Sequence, residues 1–451
     1  MNKTVIAIIL LGFVCPAGAE NFGPNQHYMV SRSATRYENS RNCVGCHPDT
    51  FNQFNVSQHS KAFTDPLFQT QYFREIVPLA KRNPIYRAAA KRCIQCHSPV
   101  LFMSHTGMIH VPSQASSVET GITCDFCHTF AGFAENGDYL SEPSGKKQGP
   151  YEMDSIHGEK NGALSASEFC AYCHNLTNHN DLEIMGTFTE WKKSSRGKKL
   201  VTCQECHMSK NGYGGGFERG PAAYLQIGFS QENKAPIRDK LFSHLFPGSH
   251  SQKQLQGAAA IEASLSNTMM PDGKRILNVQ VINSRSGHRL PTGQTDLRMV
   301  WLEVTASTAS GDPLAVRHLK SPGFGKEAYG FAGSAEDDVE VIGTIVPRHS
   351  RVYRTVFADE QGNRALSATS AKSVLFDNRL NPDETRNEKY VVSVPLGYTG
   401  PVTIQAKLSY LLVPPVFTRS LALPDETPVI IGTLRKEFNV VDPVSDLQAP
   451  R

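Results

Sequence analysis

Ten of the eleven cysteines in this 451-residue chain stand in C-x-x-C pairs, and every pair is followed at once by histidine. The sets are Cys43, Cys46 and His47; Cys93, Cys96 and His97; Cys124, Cys127 and His128; Cys170, Cys173 and His174; and Cys203, Cys206 and His207. Two cysteines three residues apart lie on one side of a tight helical turn, within reach of the two vinyl groups of one porphyrin. The adjacent histidine then turns its imidazole to the iron as the proximal ligand. Thioredoxin-like redox motifs share C-x-x-C without the added histidine. Structural zinc sites need four ligands, usually from two such pairs, and five pairs do not divide into four-cysteine sites. The pattern predicts five covalently bound haem c groups and leaves no pair for disulfides.

The spacing limits the fold. The gaps between motif starts are 50, 31, 46 and 33 residues, alternately long and short, and all five motifs lie between residues 43 and 207. A polypeptide this thin cannot wrap each haem in a domain of its own, so the porphyrins are expected to pack together as a conducting chain. Apolar side chains make up 39% of the sequence, slightly low for a globular protein, which fits macrocycles filling part of the core.

Residues 1–19 read as a secretory signal peptide: Lys3, an apolar run from Thr4 to Val14, and a small-residue cleavage site at Ala17-Gly18-Ala19. The run is too short to span a bilayer. Cys15 raises a lipoprotein as the alternative, but Val14 and Pro16 beside it are unsuited to a lipidation signal. No later stretch is long and apolar enough for a membrane helix. The mature protein is expected to be periplasmic or secreted.

Between the motifs, Asp65 to Ala90 reads as helix broken by internal prolines. Segments 131–150 and 210–222, rich in Gly and polar residues, read as loops. After about residue 265 cysteine disappears and period-two alternation takes over. A turn at Pro271-Asp272-Gly273-Lys274 precedes Ile276 to Ile282, Val300, Leu302 and Val304 alternate with polar or aromatic neighbours, and Val402 to Leu412 is the cleanest strand. The fold class expected is α + β in separate domains: a mostly helical and loop multihaem cytochrome domain at 20–250, a helical linker at 251–265, an antiparallel β-sandwich-like domain at 266–440, and a tail at 441–451.

Outside the β region eight further histidines stand as candidates for the other side of each iron: His27, His59, His105, His110, His157, His179, His244 and His250. Five irons need at most five. An isolated histidine is more often a surface or hydrogen-bonded residue than a ligand, but crowded haems raise the demand for imidazoles. Three local patterns resemble the multihaem c-type cytochromes related to the bacterial tetrahaem cytochromes of ammonia oxidation and to hydroxylamine oxidoreductase. They are Gln58-His59-Ser60-Lys61-Ala62-Phe63, Asp154-Ser155-Ile156-His157, and Glu190-Trp191 ahead of Cys206-His207-Met208 with His244-Leu245-Phe246-Pro247-Gly248 after it. The segment Gly287 to Gly293 is similar to the opening of a β domain appended in such proteins. The resemblance, which covers roughly residues 40–250, implies that His59, His157 and His244 are distal ligands. The second gap offers His105 and His110, with His110 slightly preferred. His250, His179 and His27 compete for the fifth iron. Met103 and Met108 are alternatives, although methionine here is more often packing. His288, beside Arg289 and a proline-containing turn, is expected to make a structural hydrogen bond, with ligation of an iron the less favoured alternative.

Formal charge is +4 at neutral pH. Haem propionates turn it negative, each oxidised haem adding about −1. The cluster Lys192, Lys193, Arg196, Lys198 and Lys199 either neutralises propionates or docks an acidic redox partner. Nothing suggests nucleic-acid binding. The reading that follows is an electron carrier, mostly bis-histidine, working between a donor and an acceptor protein in a respiratory chain. The β domain would serve for docking, as a homo-oligomer contact or a complex subunit. The alternative is a multihaem oxidoreductase acting on a small nitrogen or sulfur compound at one open iron. The absence of C-x-x-C-Lys and the surplus of histidine favour the carrier.

Overall fold

The computed structural model describes residues 37–105, 108–115, 119–134, 139–143, 146–151, 158, 160–212, 214–223, 237–270, 272–320 and 325–440. The expected signal peptide and C-terminal tail, His27 and His157 lie outside them, as does the His105 side chain.

The motif half is built from short helices because its sequence keeps interrupting them. Asp65 caps helix Pro66–Thr70 through the Phe68 amide at 3.0 Å. A π-helical stretch, Gln71–Ile76, then leads into Val77–Arg82. Pro78 cannot donate to the preceding turn, a local cause for the wider winding. Helix Ile85–His97 ends on the second motif. The third, fourth and fifth motifs close helices Cys124–His128, Ser167–His174 and Cys203–His207. Thr123 caps the first of these by accepting from the Phe126 amide at 3.1 Å, and Thr202 with Glu205 forms a full capping box on the last. Two stretches expected as loops carry small hairpins, Phe130–Phe133 with Tyr139–Ser141 and Glu218–Pro221 with Ile237–Leu241. The aromatic rings supply what the glycines hide: Phe130 and Tyr139 meet at 4.7 Å within a cluster that includes Phe126 and Ile94.

The C-terminal half contains eight main strands: β1 Ala260–Met269, β2 Lys274–Ile282, β3 Met299–Ser307, β4 Val316–His318, β5 Arg351–Ala358, β6 Thr385–Ser393, β7 Pro401–Leu411 and β8 Val429–Asn439. One sheet runs β5-β3-β7-β8 with short strands added at β5 and β3, and the other runs β4-β6-β2-β1. The pairings are antiparallel, with Leu302 opposite Leu408 and Leu277 opposite Tyr390. Leu277, Val279 and Val281 from one sheet and Val300, Leu302, Ile404 and Leu408 from the other form one buried core. The expected α + β organisation is what the chain adopts. The linker holds a single helical turn, Gln252–Leu255, and β1 begins at Ala260. The run Ala258-Ala259-Ala260 masks the alternation there.

Candidate haem-binding site

Each motif places its sulfurs next to those of another. None of the ten described cysteines is paired in a disulfide. Cys43 lies in hydrogen-bonding contact with Cys124, Cys96 with Cys173, and Cys170 with Cys203. Two of these junctions share one device. Ser40, three residues before Cys43, accepts from the Cys124 amide at 3.1 Å. Ser167, three residues before Cys170, accepts from the Cys203 amide at 3.1 Å. The five motifs therefore converge on one region, the first against the third, the second against the fourth, and the fourth against the fifth.

The imidazoles are held in a common way. The Nδ1 atoms of His47, His97, His128 and His207 sit 2.8, 2.8, 2.6 and 3.2 Å from the carbonyl oxygens of Ala222, Ala62, Gln148 and Pro247. His244 and His288 do the same with Phe242 and Arg289, both at 2.9 Å. A carbonyl only accepts, so Nδ1 carries the proton and Nε2 keeps its lone pair for a metal. Burial, with His174, His244 and His207 nearby, pushes the His59 imidazole down to about 3. Burial also brings His207 and His244 to about 4 and lowers His97, His174 and His288. These rings stay neutral, the protonation state that ligates metals.

Three pairs of these rings face one another. The centroid separations are 6.2 Å for His59 and His174, 6.2 Å for His128 and His244, and 6.4 Å for His207 and His288. A metal–imidazole bond of about 2 Å on each side, plus roughly 1.1 Å from nitrogen to ring centre, spaces two axial ligands about 6.3 Å apart. Phe68, by contrast, stacks on His97 at 4.0 Å, too close to admit an atom between the rings. The angle between imidazole planes is a free rotation about the ligand–metal axis, so the distance carries the comparison. The donor set and its spacing fit a haem iron.

Local packing fixes His59 and His244. Gly121, at φ +83°, brings its backbone against Ser60, where a Cβ would come within 2.5 Å of the carbonyl oxygen. This lets the Ile122 amide donate to the His59 carbonyl at 2.9 Å. The His244 amide donates to Gln53 Oε1 at 2.8 Å. Phe246, held at φ +43°, packs at 4.4 Å from His59 and 5.6 Å from His244. The sequence motif containing Phe246 was visible, but not this wedge between two rings.

The other candidates stand apart from these pairs. His110 is exposed, and its amide donates to Gln114. His250 is exposed. His179 meets Tyr86 edge-on at 5.5 Å. Met103 accepts from the Tyr37 hydroxyl at 2.7 Å. His288 makes the hydrogen bond expected of it and also lies opposite His207, the placement its less favoured reading as a ligand needs. Among the described residues no helix is long and apolar enough to cross a membrane.

Residues 42–129 match the family described as "Cytochrome c554 and c-prime". A penta-heme cytochrome c552 from Thermochromatium tepidum is similar over 89% of this chain and 99% of its own, with a TM-score of 0.58 and 21% identity, a likeness that bears on the fold. A family 123 glycoside hydrolase from Clostridium perfringens (10% identity, 41% of this chain and 27% of its own, TM-score 0.17) carries no argument. Nor does a PapD-like domain of human CEP192 (9% identity, 49% and 98%, TM-score 0.15). No curated protein matches. The family match and the motifs support a multihaem c-type cytochrome that transfers electrons.

Proposed function

We propose that this chain is a periplasmic pentahaem cytochrome that relays electrons in a respiratory chain through closely packed, mostly bis-histidine haems. The observation that carries the reading is the spacing of His59 from His174 and of His128 from His244, 6.2 Å in both cases. Haem supplies one-electron chemistry. The chain's contribution is to attach it through Cys43 and Cys46, Cys93 and Cys96, Cys124 and Cys127, Cys170 and Cys173, and Cys203 and Cys206. His59 closes the fourth iron and His244 the third, so both remain six-coordinate in either oxidation state. His157, and His105 or His110, serve other irons. The contacts Cys43–Cys124, Cys96–Cys173 and Cys170–Cys203 support a continuous path. Lys192, Lys193, Lys198 and Lys199 are exposed beside the fifth motif and suit an acidic redox partner.

Haem quantification with low-temperature EPR of the oxidised protein tests this reading. Five haems, all low-spin, are expected. A high-spin signal from about one haem in five would favour an oxidoreductase with one open iron instead.

A further inference from the structure

We propose that His288, a residue of the β domain, is the sixth ligand of the iron held by Cys203, Cys206 and His207. The inference rests on the reading that the fifth motif carries a haem. Three independent features point to it. The His207 and His288 rings stand 6.4 Å apart, within 0.2 Å of the other two facing pairs. The Nδ1 proton of His288 is committed to the Arg289 carbonyl, as the Nδ1 protons of four proximal rings are committed to theirs, which leaves Nε2 free to bind metal.

The third feature is a loop built to hold this one ring still. Buried Asn283 donates from Nδ2 to the His288 carbonyl at 2.9 Å, and the Ser286 hydroxyl donates to the same oxygen at 2.6 Å. One residue on, the Arg289 amide donates to Glu190 Oε2 at 3.1 Å, and Thr292 Oγ1 donates to it at 2.6 Å. Arg379 completes the hub through Glu190 Oε1 at 2.6 Å. Glu190 sits on helix Thr187–Lys193 of the motif half. The carboxylate that docks the two domains therefore also sets where His288 lies. Preceding it, Gly287 at φ +68° passes over Arg196, whose Cδ lies 2.7 Å from where a Cβ would stand. His250 and His179, candidates for the iron left without a distal ligand, have no such placement.

The fifth haem would thus straddle the two domains, its iron closed only when the β domain is docked. This gives the β domain a direct role in coordination. The test uses full-length holoprotein. In His288→Ala the thioethers remain, so five haems are retained, one low-spin haem of five is lost, and a high-spin signal of about one fifth of the iron replaces it. Added imidazole restores the low-spin spectrum. A full haem complement with unchanged EPR in His288→Ala overturns the proposal and leaves the carrier reading intact. Should that variant not accumulate, His288→Met keeps a ligand in place. It is expected to show the absorption band of a His–Met haem and one of five midpoint potentials shifted upward, and unchanged absorption and potentials would overturn the proposal. Mass spectrometry of the Cys203–His207 peptide separates the two levels, since a peptide without haem overturns both.

Discussion

The two halves of the molecule solve the same problem with different materials. In the β domain the two sheets close on their own side chains: Leu277, Val279, Val300, Ile404 and Leu408 retain no accessible surface. In the motif half, side-chain packing gathers around the second and third motifs, through Tyr72, Ile94, Leu101 and Phe130. That half also carries all five cysteine pairs and their histidines, the donors of the haems it is proposed to hold. One half closes on its own side chains, and the other is expected to need its porphyrins to fold.

The strongest way to break this contrast is to remove the haems. A chain with all five cysteine pairs changed to alanine is expected to lose the motif half wholesale while residues 260–440 stay folded. Limited proteolysis with circular dichroism reads this, and a resistant fragment spanning the motifs would abolish the contrast. Next in size is Glu190→Ala, which removes the acceptor of the Arg289 amide, Thr292 and Arg379, leaves Arg379 paired with Asp377 alone, and is expected to cost about 3–5 kcal/mol from the three lost charge-assisted hydrogen bonds. Calorimetry should then resolve two transitions where the wild type melts with its halves coupled, and a single unshifted transition would deny Glu190 its docking role. Leu302→Ala opens a cavity in the β core and should cost about 2–5 kcal/mol. It should lower β-domain stability while leaving haem absorption at low temperature unchanged.

The smallest expected effect is a gain. Burial holds the Asp296 carboxyl up at about 6, above the ordinary 3.8, despite a hydrogen bond from the Ala368 amide. An acid whose folded pKa is raised loses stability as pH climbs through the window from its unfolded value to about 6, and the loss is complete above it. Asp296→Asn removes that penalty. Because Asp296 keeps some accessible surface, the gain above pH 6 is discounted to about 1 kcal/mol, vanishing near pH 4. Equal denaturation midpoints at pH 4 and pH 7 in the wild type would contradict it.

Much of this architecture was legible because its signals are local. The five motifs are contiguous, the strands at Met299–Ser307 and Pro401–Leu411 alternate within themselves, and the prolines at 66, 78 and 84 mark the helix breaks directly. The hairpin at Phe130–Phe133 was missed because its stabilising rings come from Tyr139 and Phe126, beyond the glycine that suggested a loop. The meeting of His207 and His288 was illegible for a deeper reason. No periodicity links residues in different domains, and the segment that carries His288 is held to the motif half through Glu190 with Arg289, Thr292 and Arg379. A glutamate followed by tryptophan was noticed in the sequence, while its three partners were scattered over ninety further residues of loop and strand.

The carbonyl anchors on the imidazoles carry one further consequence. A ring whose Nδ1 proton is given to an amide oxygen faces a partner too weakly basic to take that proton away, and its other nitrogen is reserved for metal. Such a ring offers no inexpensive protonation change when the charge beside it alters. On the proposed carrier reading, an electron arriving beside such a ring would meet an imidazole that neither gains nor loses a proton in response.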